Sequence, residues 1–434
     1  MDLSTYRSRI GEGATLFFAF FSGFSIAGLY LGLLVMVLAA VADPGFWRWC
    51  TRRALFWIAV AWTAYVLLRT QLPTLYAVAP DEGADARDGL ISIAGFYGLV
   101  LAWWLLDRPR TLRRLLILVP AGLMLGVLIR TEPYMWKRLL FGSHRFFGHM
   151  TNNAAGLYSA TLLVGCLGLG LPAVRERVAA GLRWKPYAIG LGLLSAATAF
   201  LFITSQSRSS WLAALVLAVV AGAIYLPRLR AGGLLPWLRR HPVTAIAAGV
   251  LVLAALLATG ATVAARLSAE AGNWHALLTL DWDSLEKRSI GIRIGLLRTG
   301  LAVIAEAPWL GAGIGTSEAA MRAAQDPLLI PGNEHFHNLY IQIAAMTGLV
   351  GLTFFLAVAI HVLRQAAAGL RADDPLTRRL ARFVLASSLL FAVASLFQVR
   401  YDDPRGLVLV AILTAFALVC GQRGPQRTWS EHVE

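Results

Sequence analysis

Charge is what this sequence has least of. Only 15% of its 434 residues are Asp, Glu, Lys or Arg, against about 25% in a soluble domain. Acid is scarcer than base: 24 Asp and Glu stand against 39 Lys and Arg, a formal net charge of +15. Cysteine is also scarce, and Cys50, Cys166 and Cys420 make no disulfide framework. No cleavable leader is evident, because the first apolar run is too long and lacks a small-residue cleavage site. No internal repeat is visible, and neither end is expected to carry a soluble domain. These absences argue against an ordinary soluble enzyme, a disulfide-stapled secreted domain and a repeat array.

Apolar residues take the place of charge. They make up 58% of the chain, and the mean hydropathy is +0.64. Runs at 54–69, 89–106, 115–130, 153–172, 187–204, 210–226, 243–265, 339–362, 380–398 and 405–421 reach or approach the length of a membrane span, for which about 20 apolar residues are needed. A further run covers 14–42. In lipid a chain must close its backbone hydrogen bonds in helices or in a barrel. These runs are too long and too uniformly apolar for barrel strands. The expected fold is an all-α polytopic membrane protein.

Arginine placement predicts the topology. The segments 43–53, 107–114, 173–186, 227–241 and 363–379 are basic and alternate with segments that are not. They read as cytoplasmic, and the net charge is explained without nucleic acid. The stretch 70–88 holds Asp81, Glu82, Asp85 and Asp88 and reads as external. Arg7 and Arg9 before the first run place the N-terminus inside if 14–42 crosses twice as a hairpin near Gly23 to Gly28. That gives about 12 crossings; a single tilted helix there gives about 11. The long hydrophilic connection 266–336 then lies outside. The chain divides into an N-terminal membrane bundle (1–265), a large external loop (266–338), C-terminal membrane helices (339–421) and a tail (422–434).

Several external stretches nevertheless carry basic residues against this bias. They are 131–152 with Lys137, Arg138 and Arg145, 204-TSQSRSSW-211 with Arg208, 286-EKRSIGIRIGLLRTG-300 with Arg288, Arg293 and Arg298, and 399-VRYDDPR-405. An interfacial arginine can simply snorkel to lipid phosphate, the reading that suits Lys137, Arg138 and Arg298. Arg208 differs, because Ser205, Ser207, Ser209 and Ser210 surround it. A planar fork of donors beside hydroxyls suits a phosphate or diphosphate.

The stretch 333-NEHFHNLYIQ-342 packs Glu334, His335 and His337 together. Their spacing is poor for zinc, and no cysteine lies on that side. His335 reads as polar trim. His337 stands next to the start of an apolar helix, where the helix dipole keeps an imidazole neutral and attracts an anion. Upstream, 308-PWLGAGIGTSE-318 contains GxGxG but follows no strand, so it is no nucleotide fingerprint. Its glycines allow a tight loop that packs under the site.

The PWLGAGIG turn followed by HFHNLYIQIAAMTGLVGL resembles the region shared by O-antigen ligases and O-antigen polymerases, and SQSRSSWLA and KRSIGIR resemble further motifs of that group. The resemblance covers mainly 204–212 and 286–352. It implies a GT-C-like multi-pass glycosyltransferase of the bacterial inner membrane with a periplasmic site. It also implies a donor glycan on undecaprenyl diphosphate and, for a ligase, the lipid A-core as acceptor, both handled amid membrane lipid. The family's essential histidine maps onto His337, and its arginines onto Arg208 and Arg288; Arg293, Asn338 and Asp402 are further candidates for substrate binding. No metal or other cofactor is expected, with arginines neutralising the diphosphate. The single large loop favours ligase over polymerase. Protein O-oligosaccharyltransferase remains open, and a lipid-linked glycan flippase is the alternative of a different class. Nearly charge-free segment interiors argue against transport.

Overall fold

The computed structural model describes residues 3–136, 150–230, 260, 264, 268–401 and 403–422. Among them no strand occurs. Helices α1 (Leu3–Phe24) and α2 (Ile26–Val41) divide the first apolar run at Ser25. Ser25 is extended, and its hydroxyl accepts from the Gly28 N–H, capping α2 where α1 stops. The chain doubles back there, with Gly28 against Phe21 and Gly32 against Phe18. The run is therefore a hairpin. Its first arm begins at Leu3, well before the apolar stretch, and so reaches 22 residues.

Asp43 caps α3 (Pro44–Cys50), which leaves α2 at 89°, and α4 (Ala54–Gln71) follows. The acidic stretch is less of a loop than its composition suggests. Pro80, Asp81 and Glu82 begin α5 (Pro80–Ser92), because proline and acid suit the first turn of a helix. Next come α6 (Phe96–Leu105) and α7 (Pro109–Arg130). Helix α8 (Asn152–Gly165) runs through a π-turn at Cys166–Gly170 into α9 (Leu171–Ala179). Helices α10 (Lys185–Thr204) and α11 (Arg208–Arg230) lead to the long hydrophilic connection. That connection holds α12 (Ala271–Thr279), α13 (Ser289–Glu306) and α14 (Thr316–Ala323). The chain then continues as α15 (Leu339–Gly369), α16 (Pro375–Ala394) and α17 (Pro404–Gln422).

Among the described residues, eight helical stretches are long and apolar enough to cross a membrane, or nine if the bent pair α2 and α3 counts as one. The chain is a multi-pass membrane protein. The expected span at 243–265 lies mostly outside the described residues, and Arg378, Arg379 and Arg382 in the first half of α16 keep that helix out of the set. Helix α17 is apolar all round, as a fully enclosed helix must be. It is buried at almost every position from Gly406 to Cys420 and packs against α6, α15 and α16.

One apolar run is not a single straight helix. At Gly348, φ 67° and ψ −174° break α15 into an arm, 339–347, and a shaft, 349–369. The PWLGAG loop fills the break. The N–H groups of Ala312 and Gly313 donate to the carbonyls of Ala345 and Met346 at 2.7 and 3.2 Å, and those of Leu349 and Val350 donate to Pro308 and Trp309 at 2.8 and 3.3 Å. The backbone groups freed by the break thus find partners, as an apolar surrounding demands. A Cβ on Gly348 would overlap the Trp309 carbonyl, and one on Gly311 (φ 73°) would overlap the Met346 backbone. Arg69, 3% exposed at the end of α4, clamps this clip. It donates to the carbonyls of Leu310 (2.9 Å), Gly311 (2.8 Å), Leu72 (3.3 Å) and Pro73 (3.1 Å).

Candidate active site

Four of the motifs singled out above lie at the starts of helices. Arg208 opens α11, Arg288 is the residue before α13, His337 and Asn338 precede α15, and Asp403 precedes α17. The four starts are tied together by direct contacts. Glu270 lies 3.7 Å from Arg208 and accepts from the Ile290 N–H of α13 at 3.4 Å. Gln398 donates to Ser209 Oγ at 2.7 Å, and the Leu339 N–H of α15 donates to the Ser395 carbonyl at 2.8 Å. The turn 395–403 between α16 and α17 is the hub that joins them.

His337 is held in a strained hook. Its φ is 53°, uncommon for a residue with a side chain. Its neighbours fix it there. The Phe336 N–H donates to Gln342 Oε1 at 3.0 Å, and Gln342 is itself anchored on Ser317 and on the Tyr401 hydroxyl at 3.1 Å. Asn338 Oδ1 accepts from the N–H groups of Tyr340 (3.0 Å) and Ile341 (3.1 Å). That capping is ample reason for an asparagine at this position. His335 Nδ1 accepts from the His337 N–H at 3.4 Å, and the two rings meet edge to face with centroids 4.2 Å apart.

The His337 imidazole is pushed down to about 4, first by burial and then by the charges of His335, Arg293 and Arg400. It is neutral at physiological pH. Arg293 is also lowered, chiefly by burial and then by Arg208, with Glu270 opposing. Its guanidinium lies 5.7 Å from the centre of the Phe397 ring. His337, Arg293, Arg208 and Glu270 therefore form one electrostatic group.

The other expected residues are placed as follows. Arg288 pairs with Glu286 at 2.7 Å and donates to the Ala269 carbonyl, so it shares the 269–270 corner with Arg208 and remains half exposed. Arg298 lies 3.9 Å from Asp326 and over Trp282. The serines around Arg208 are not open space. Ser207 meets Asn153 Oδ1 at 3.0 Å, Ser209 at 3.2 Å and Ser210 at 2.9 Å, so these hydroxyls satisfy one another and brace the loop. Asp402, Lys137, Arg138 and Arg145 lie outside the described residues. No group of three or more His, Cys, Asp or Glu placed to hold a metal occurs among the described residues.

Two contributors escaped the sequence reading. Glu270 is 5% exposed and serves Arg208, Asn273 and the start of α13. The available signal was a lone acid between an apolar run and a polar loop. Arg400 is the other. Its stretch is basic on the external side, and the acids beside it obscure that signal.

Guanidinium groups around a neutral imidazole, at meeting helix starts, are suited to an anion with a base beside it. No curated protein matches the chain. Residues 193–356, which take in Arg208, Arg288, Arg293, the PWLGAG clip and His337, match the O-antigen ligase family.

Proposed function

We propose that the protein is an O-antigen ligase that moves a glycan from undecaprenyl diphosphate to a sugar hydroxyl of the lipid A-core, at the periplasmic face of the inner membrane. The observation that carries this reading is the half-buried, neutral His337 among arginines. In the reaction His337 takes the proton of the acceptor hydroxyl. The oxygen attacks the anomeric carbon as its bond to the diphosphate breaks, and the configuration inverts. Undecaprenyl diphosphate departs with its charge held by Arg208, Arg293 and Arg288. A diphosphate is already a good leaving group, so no separate acid is needed once those arginines hold it. Asn338 orients the hook, and Asp402 is a further contact for substrate. The segment 266–338 is the periplasmic part, and the arginines take the place of a metal.

A ligand-free value of about 4 is low for a general base, which works best with a pKa near the operating pH. Arg293 and Arg400 are among the charges that depress it. A diphosphate bound against Arg293 offsets its charge and raises the imidazole, so the base strengthens when donor is present.

Lipopolysaccharide from a deletion strain tests the assignment. Loss of the ladder with accumulation of lipid-linked polymer is the outcome expected of a ligase. A core capped by a single repeat would make it a polymerase instead. Purified enzyme should keep full activity in excess EDTA; activity that vanishes and returns with Mg²⁺ would overturn the metal-free reading.

A further inference from the structure

The turn between α16 and α17 holds a cation that the chemistry above does not use. Arg400 is 7% exposed. Its guanidinium touches the Gln398 side-chain oxygen and stands 3.8 Å from Asp403, too far for a hydrogen bond. Its Nε is buried with no hydrogen-bond partner among the described residues. A guanidinium carries five donor N–H groups. A buried one with so few partners is costly unless something else completes it.

Asp403 does not meet that need alone. It also stands 3.8 Å from the Arg405 guanidinium and accepts from the Arg405 N–H at 2.9 Å. Gln398 explains why the guanidinium stays where it is. The Gln398 amide donates to Ser209 Oγ at 2.7 Å, beside Arg208, and this turns its oxygen toward Arg400. Arg293 lies over Phe397 in the same turn. Arg208, Arg293, Arg400 and Arg405 gather here, with Glu270 beside Arg208 and the single carboxylate of Asp403 shared between Arg400 and Arg405. Such an excess of positive charge suits an anion of at least two charges.

We propose that Arg400 is a direct ligand of the donor's diphosphate, completing a cradle with Arg208 and Arg293, and that Gln398 is the residue that positions it. The inference rests on the lipid-diphosphate reading above.

Undecaprenyl diphosphate and undecaprenyl monophosphate, titrated against the purified protein in nanodiscs, test it alongside thermal melting of the ligand-free protein. Wild type should favour the diphosphate. Arg400→Met should weaken diphosphate binding ten-fold or more. Its ligand-free melting temperature should hold or rise, because an under-paired buried charge is gone and Asp403 keeps Arg405. Arg400→Lys keeps the charge without the fork and should lie between. Gln398→Ala should weaken the diphosphate by less than Arg400→Met. A wild-type ratio of diphosphate to monophosphate affinity in both Arg400 variants would overturn the proposal, whatever happens to their melting. Wild-type protein that binds neither lipid would overturn the donor reading itself, and the role of Arg400 with it.

Discussion

His337 is a base made by its surroundings. Removing it should cost turnover about 10²–10⁴-fold, the usual span for general-base catalysis, while His337→Ala still inserts in the membrane. His335→Ala should retain partial activity, since His335 only accepts from the His337 backbone and stacks against its ring. Because His335 is also one of the groups that hold His337 down, that variant should shift the acid limb of activity to higher pH. The sign of the donor effect is testable in the same way. The profile of kcat/KM follows the free enzyme and that of kcat the bound complex. The acid limb of kcat should therefore sit at higher pH than that of kcat/KM; coincident limbs would remove the idea that donor strengthens the base. For stability the fold favours the neutral ring. Its contribution is full above the unfolded value of about 6.5 and is lost as pH falls through about 4. Melting of His337→Gln should depend less on pH in that window than melting of the wild type. At this scale the sequence was a good guide to type and a poor guide to partners. Two histidines and misplaced arginines are visible in one dimension. That Arg293 rather than Arg288 stands by the base, or that a glutamate far upstream neutralises Arg208, depends on how four helix starts meet.

The elements were legible where apolar runs are bounded by caps and prolines, as at Asp43 and Pro44 or Asp374 and Pro375. They were misread where an interruption is carried by backbone alone. Nothing in TGLVGL announces that Gly348 breaks α15, because glycine is common in membrane helices; the sign lay in the partner loop, whose glycines give up side chains to reach the break. Gly348→Ala adds a Cβ at φ 67° against the Trp309 carbonyl. It should lower the melting temperature and reduce activity, by the equivalent of about 1–3 kcal/mol of backbone strain or more. Arg69→Met strips donors from four carbonyls around the clip and should destabilise by about 1–3 kcal/mol for each group left buried and unpaired. Thermal melting in detergent measures both, and a wild-type melting temperature in either would show that the clip does not hold the arm.

At the scale of the whole molecule, hydropathy and arginine counting fixed the class of fold but not the number of crossings, since an amphipathic helix such as α16 reads ambiguously by composition. Orientation can be checked directly. Cys50, Cys166 and Cys420 are all buried, so an added surface thiol should label over a low background. An impermeant reagent should modify Ser284→Cys in intact spheroplasts and leave Ala180→Cys, in the basic segment after α9, untouched; the reverse pattern would put the site in the cytoplasm. The break in α15 has a mechanical meaning at this scale. The arm that carries His337 exchanges backbone bonds with the loop and with the turn 395–403, while the shaft meets the loop through its first two N–H groups, those of Leu349 and Val350, and then continues as ordinary helix. A tilt of the shaft, as lipids of different length impose, should be absorbed at this joint before it reaches the imidazole. Turnover should consequently vary little among nanodiscs of short-chain and long-chain lipids, so that one enzyme works unchanged as the thickness of its membrane drifts.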